Sequence, residues 1–206
     1  MTTRAVLVAG GRGARLGLGT VKALAVVHGT TLLERAVATL AEVADEVIVA
    51  APAAVELPLP AAAIPVRRVV DRAPGGGPLA GIVAGLETGA WDRAIVLGVD
   101  FPRVRAEALV ALLARLPGRS AVVPAPGGRP QPLVAAIDRD GAAALTLAFD
   151  SGERSIVRAM EGLPSWVLAD AELADLPGGL DNFLNVNTPE DLRRAEARMA
   201  AGAARR

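Results

Sequence analysis

The chain has no cysteine, no tyrosine, one histidine, only 2% aromatic residues and no formal net charge over its 206 residues. Without cysteine there are no disulfides, no thiolate metal sites and no thiol nucleophile. With a single histidine, His28, a histidine triad or a multi-histidine metal site cannot be built, and its place in VVHGTTLLERA suits a polar turn. So few aromatics leave no stacking platform for single-stranded nucleic acid. Lys plus Arg and Asp plus Glu balance at 22 each, so no basic field points to nucleic acid either. The most lipid-like stretch, VIVAAPAAVELPLPAAAIPV, is broken by Pro52, Pro58, Pro60 and Pro65 and carries Glu56, and reads as a strand and a loop rather than a membrane span. The opening MTTRAVLVAGG is too short in its apolar part for a signal peptide and runs into glycines, so a cytoplasmic protein with a small-molecule partner is expected.

What is present is an alternation of short β-branched runs with Ala/Leu-rich segments of helical length: AVLVAG, LLERAVATLAEV, EVIVAAP, VRRVVD, LAGIVAGLETG, RAIVLGVD and EALVALLARL. Alternation of this kind predicts an α/β fold, a mostly parallel sheet flanked by helices. AIVLGV is apolar throughout, as a strand buried on both faces must be, and is expected at the centre. PLVAAID reads as a later strand of mixed direction, with helical stretches near 142–149 and 156–160. NTPEDLRRAEARMAAG carries its own helix signals: Thr188 as N-cap, Pro189 in the first position, Glu190 and Asp191 in the first turn, and Gly202 as the stop. No repeat and no long linker divides the chain, so one domain over residues 1–206 is expected.

In open α/β sheets ligands bind beyond the carboxyl ends of the strands. Three predicted strands end in suitable chemistry, at Gly10 and Gly11, at Asp71 and at Asp100. The segment VLVAGGRGARLGLGTVKAL follows the first strand with five glycines. It fails the Walker pattern, since Lys22 is followed by Ala23, and it fails the dinucleotide pattern, since Leu16 stands where the third glycine belongs. It remains a loop whose bare backbone N–H groups, with Arg12, Arg15 and Lys22, suit a phosphate ester. A solvated surface loop is the other reading. Asp100, ending an apolar strand, suits Mg²⁺, which takes one or two carboxylates and completes its shell with water and phosphate; a turn-capping role is the alternative. The same alternative holds for Asp71, and Gly75 to Gly77 can equally make a turn.

The order of VLVAGGRGARLG, Lys22, Asp71, GPLAG (Gly77 to Gly81), VDFP, QPLVA, SGERS and FLNVNTPEDL resembles that of molybdenum cofactor guanylyltransferases, the MobA family, over nearly the whole chain. The glycine motif alone is common to many nucleotidyltransferases. GPLAG together with NVNTPEDL is more telling. Val21 stands where the family commonly carries an acidic residue, and LGLGTVK is about one residue longer than usual.

The resemblance implies a Rossmann-like, three-layer nucleotidyltransferase fold and transfer of GMP from GTP to the terminal phosphate of molybdopterin, with release of pyrophosphate. It implies that Val8, Ala9, Gly10 and Gly11 meet the nucleotide, Arg15 and Lys22 its phosphates, and Asp71 with Gly77, Pro78 and Leu79 the nucleoside. Asp100 would also meet the nucleotide and hold Mg²⁺, with Arg15, Lys22 and Asp100 as the catalytic set. Gln131, Asn185 and Asn187 would lie toward the pterin acceptor, with transient contacts to cofactor-biosynthesis or acceptor proteins. FLNVN would be a strand with both amides on the cleft face. A cytidylyl- or sugar-phosphate nucleotidyltransferase, and a nucleotide-binding accessory protein with weak turnover, are the competing readings.

Overall fold

The computed structural model describes residues 1–10 and 21–203, the side chains of 199–203 excepted. The chain opens with β1 (Thr3–Val8). A 3-10 turn (Lys22–Leu24) follows, then a hairpin of β2 (Val26–Val27) and β3 (Thr30–Thr31) and helix α1 (Leu32–Ala41). β4 (Glu46–Ala51), β5 (Val66–Val70), α2 (Gly77–Leu86), β6 (Arg93–Gly98) and α3 (Ala106–Ala114) come next. The remainder comprises β7 (Ala121–Pro124), β8 (Val134–Asp138), α4 (Arg139–Asp150), α5 (Ile156–Glu161), β9 (Ser165–Leu168), α6 (Asp170–Ala174) and α7 (Pro189–Ala203).

Seven strands form one sheet in the order β5-β4-β1-β6-β8-β7-β9, with β6 fourth of seven as its apolar run requires. Only β8 runs against the others, pairing antiparallel with both β6 and β7. Period-two alternation sends successive side chains to opposite layers. Leu7, Ile95 and Leu97 pack with Leu33, Val37, Leu109 and Leu112 on one face. Val6 and Val96 pack with Ile82, Val83, Leu86 and Leu145 on the other. Each face thus has its own helical cover, giving the three layers. Gly85 of α2 has a packing reason: a Cβ there would lie 2.6 Å from Val6 Cγ1, so the helix reaches the sheet only without one.

Two sequence expectations are corrected. Residues 184–187 form no strand and belong to no ladder; β6 already has β1 and β8 on its two edges. The segment's one backbone link to this strand's end is Val186 N–H to Asp100 O at 2.8 Å. Helix α7 continues through Gly202 to Ala203, because a glycine costs a helix only about 1 kcal/mol and does not by itself end one. Thr188 does cap α7: its Oγ1 accepts from Asp191 N–H while Asp191 Oδ2 accepts from the N–H groups of Thr188 and Asn187. His28 takes the turn position expected of it, at φ 48° between β2 and β3, with Nε2 2.9 Å from Glu196 O. Among the described residues no helix is long and apolar enough to cross a membrane.

Candidate active site

The carboxyl ends of β1, β4, β5 and β6 form one edge, since Val8 is in register with both Ala50 and Gly98. Two clusters of polar chemistry lie along it. The first is built on Asp71, immediately after β5. Its backbone N–H bonds Ala51 O at 3.1 Å and turns the side chain back over the neighbouring strand ends. Gly81 makes room for the carboxylate, since a Cβ there would lie 2.9 Å from Asp71 Oδ1, whereas one on Gly10 would meet Pro52 Cδ at 2.8 Å. Asp71 Oδ1 is buried and has no hydrogen-bond partner among the described residues. An orphaned acceptor over a glycine is an arrangement suited to a ligand's N–H or O–H.

Burial raises the pKa of Asp71, with Arg68 opposing. A carboxyl whose pKa is raised by folding contributes stability below its unfolded value, and that contribution is lost as pH rises through the folded value. Asp71→Asn is therefore expected to melt higher than the parent at pH 7 and to lose that advantage as pH falls below the ordinary Asp range. Melting curves at pH 7 and pH 3 check it; equal melting temperatures at pH 7 would refute the burial argument.

The second cluster joins residues distant in sequence. β6 delivers Asp100, the 3-10 turn delivers Lys22, and the segment before α7 delivers Asn187. Lys22 Nζ lies 3.3 Å from Asp100 Oδ2 and 2.7 Å from Asn187 Oδ1. The backbone of Lys22 is fixed by two turn bonds, Leu24 N–H to Val21 O and Ala25 N–H to Lys22 O, with Ala23 buried beneath. The lysine is itself 8% exposed. Asp100 Oδ1 lies over Gly98, whose missing side chain leaves it space.

Among the described residues no three His, Cys, Asp or Glu side chains gather into a metal cage. A single strand-end carboxylate beside Lys22 fits instead a divalent ion that draws its other ligands from phosphates and water.

The remaining expected site residues divide clearly. Val8, Ala9 and Gly10 end β1, with Ala9 N–H bonded to Ala50 O at 2.9 Å. Gly77 and Pro78 are exposed at the start of α2, whereas Leu79 is fully buried and offers only its backbone. Gln131 is half-buried before β8, whose reversed direction brings that loop to the same edge; nearby, Leu133 O accepts from Gly98 N–H at 2.7 Å. Asn185 is exposed and only Asn187 joins Lys22, so the two amides do not share one environment. Gly11, Arg12 and Arg15 lie outside the described residues. The role of Gly98 was missed from sequence; its signal was a glycine two residues before the strand-end Asp.

Residues 5–163 match the model of the MobA-like NTP transferase domain. The chain belongs to that family. A relative from Chloroflexus aggregans, called a probable molybdenum cofactor guanylyltransferase, is 35% identical over 203 residues, covering 96% of this chain and 95% of its own. The crystal structure of molybdopterin-guanine dinucleotide biosynthesis protein A from Archaeoglobus fulgidus superposes with a TM-score of 0.76 at 25% identity, covering 96% of this chain and 99% of that one. A cytidylyltransferase for 2-C-methyl-D-erythritol 4-phosphate from Thermus thermophilus shares the fold alone, with a TM-score of 0.70 at 22% identity over 96% of this chain and 98% of its own.

Proposed function

We propose that this chain transfers GMP from GTP to the terminal phosphate of molybdopterin or its molybdenum-loaded form, giving the guanine dinucleotide cofactor and pyrophosphate. The observation that carries this reading is the meeting of Lys22, Asp100 and Asn187 at the end of the central strand, in a chain 35% identical over nearly its full length to a probable molybdenum cofactor guanylyltransferase.

The chemistry agrees. The acceptor is a phosphate monoester whose second pKa is about 6, so it is largely a dianion at neutral pH and needs no general base. One of its oxygens bonds to the α-phosphorus of GTP as the bond from that phosphorus to the α–β bridging oxygen breaks, and pyrophosphate leaves with the electron pair. Two anions must be held in line, so cations do most of the work. Lys22 supplies one from the protein, and Arg15 from the glycine loop a second. A divalent cation at Asp100, Mg²⁺ in this reading, supplies further offset of phosphate charge when bound. Val8 to Gly11 meet the nucleotide, Asp71 and Gly77 to Leu79 its nucleoside, and Gln131 and Asn187 lie toward the acceptor, with Asn185 at the exposed rim.

Pyrophosphate release with each nucleotide under equal Mg²⁺ tests the reading. GTP is expected to be preferred over CTP by at least about 100-fold in kcat/KM, since a site built on hydrogen bonds strongly rejects a base that leaves them unmade. A preference for CTP would move the protein to the cytidylyltransferases. Lys22→Ala is expected to weaken GTP binding about 10- to 100-fold, the range for losing one charged hydrogen bond. Unchanged GTP titration curves would remove Lys22 from the phosphate site.

A further inference from the structure

We infer that Lys22 holds Asp100 masked in the free protein, so that a divalent cation binds at Asp100 only once a triphosphate has drawn the lysine away. The inference rests on the nucleotidyltransferase reading above and deepens it by assigning an order to the site.

The geometry is that of an occupied carboxylate. The Lys22 ammonium sits 3.3 Å from Asp100 Oδ2, with both side chains largely buried, at 10% and 16% exposure. Asn187 Oδ1, 2.7 Å from the same nitrogen, gives it a second acceptor and fixes its position. The Lys22 backbone is pinned in its 3-10 turn, so the ammonium can leave only by rotation of its own side-chain torsions. A divalent cation approaching Asp100 meets a positive charge already in contact with the carboxylate, and in a partly buried site that repulsion is poorly screened. The ion must therefore displace the lysine or share the carboxylate with it. A triphosphate changes the balance, because its oxygens offer the ammonium a stronger acceptor and give the cation further ligands at once. Nucleotide and cation then bind with positive coupling, each raising the affinity of the other by the same factor.

The masking also has a function. A single carboxylate left bare at the edge of the sheet would collect cations without nucleotide. The lysine reserves it, and the same ammonium moves on to the phosphates.

The test is Mn²⁺ binding to the full-length protein without nucleotide, read by electron paramagnetic resonance, with isothermal titration as a second readout. Lys22→Met keeps the length of the stem and removes the charge. It is expected to bind Mn²⁺ alone at least 10-fold more tightly than the parent, and Asp100→Asn added to it is expected to abolish that gain. In the parent, a non-hydrolysable GTP analogue is expected to tighten Mn²⁺ binding at least 10-fold. In Lys22→Met the analogue's effect on Mn²⁺ is expected to shrink, because the mask it would remove is gone. The inference is overturned if Lys22→Met binds Mn²⁺ no better than the parent, or if its gain survives loss of the Asp100 charge. It is equally overturned if the parent binds Mn²⁺ as tightly alone as with the analogue. None of these readouts requires the pterin acceptor, so failure of the guanylyl-transfer reading would show separately, in the nucleotide panel.

Discussion

Asp100→Asn is expected to slow GMP transfer about a thousandfold, the equivalent of roughly 4 kcal/mol of charge stabilisation lost at the reacting phosphates. The substitution keeps the shape of the side chain and an oxygen that can still accept from Lys22. The backbone bond from Val186 N–H to Asp100 O does not depend on the side chain, so the segment before α7 stays docked. The melting temperature should accordingly move by no more than about 4 °C, the equivalent of roughly 1 kcal/mol in a chain of this size. The decisive measurement is single-turnover pyrophosphate release at saturating GTP, with a thermal melt on the same preparation. Parent-like turnover would take Asp100 out of the chemistry. A collapse in melting temperature would mean instead that the residue serves the fold.

The largest stability effect is expected at the opposite end of the same sheet. Arg4, on β1, is 2% exposed, bonds Glu46 Oε1 through Nε and Nη2 at 3.0 and 2.5 Å, and donates from Nη1 to Gly85 O. Its guanidinium also lies 5.8 Å from the centroid of the Trp91 ring. Arg4→Ala strands Glu46, whose other partner, Arg67, is itself 69% exposed. Breaking a buried pair from one side costs about 3–5 kcal/mol, which in a chain of this length is about 10 °C of melting temperature. Replacing both partners, Arg4→Met with Glu46→Leu, is expected to recover most of that loss, because the cost lies in the charge left unpaired. A double variant no more stable than Arg4→Ala would show that the pair itself holds the strands. Turnover by the folded fraction should be unchanged in either case.

The central strand and its terminal carboxylate were legible because a run buried on both faces has no polar residue until it leaves the sheet, and Asp100 stands where β6 ends. The prolines at 52, 58, 60 and 65 likewise marked a loop after β4. Residues 184–187 misled: alternating asparagines around Val186 have the period of a strand, yet a ladder needs a free edge, and β6 has none. The buried Arg4 carried no sequence signal of its need for Glu46, which is 42 residues away and becomes its neighbour only through strand register. Asp71 was legible as a strand-end carboxylate. That Gly81 stands back to admit it depends on how α2 lies on the sheet.

The bond between Lys22 and Asn187 spans 165 residues. While the chain is being made, the sheet can gather from β5 through β9 before Asn187 has left the ribosome, at some 5–20 residues per second. Until then the lysine lacks the acceptor that fixes it, and the segment whose Val186 closes on the end of β6 is missing. A chain that stops short of Asn187 would thus own a nearly whole scaffold with one corner of its strand-end cluster unmade.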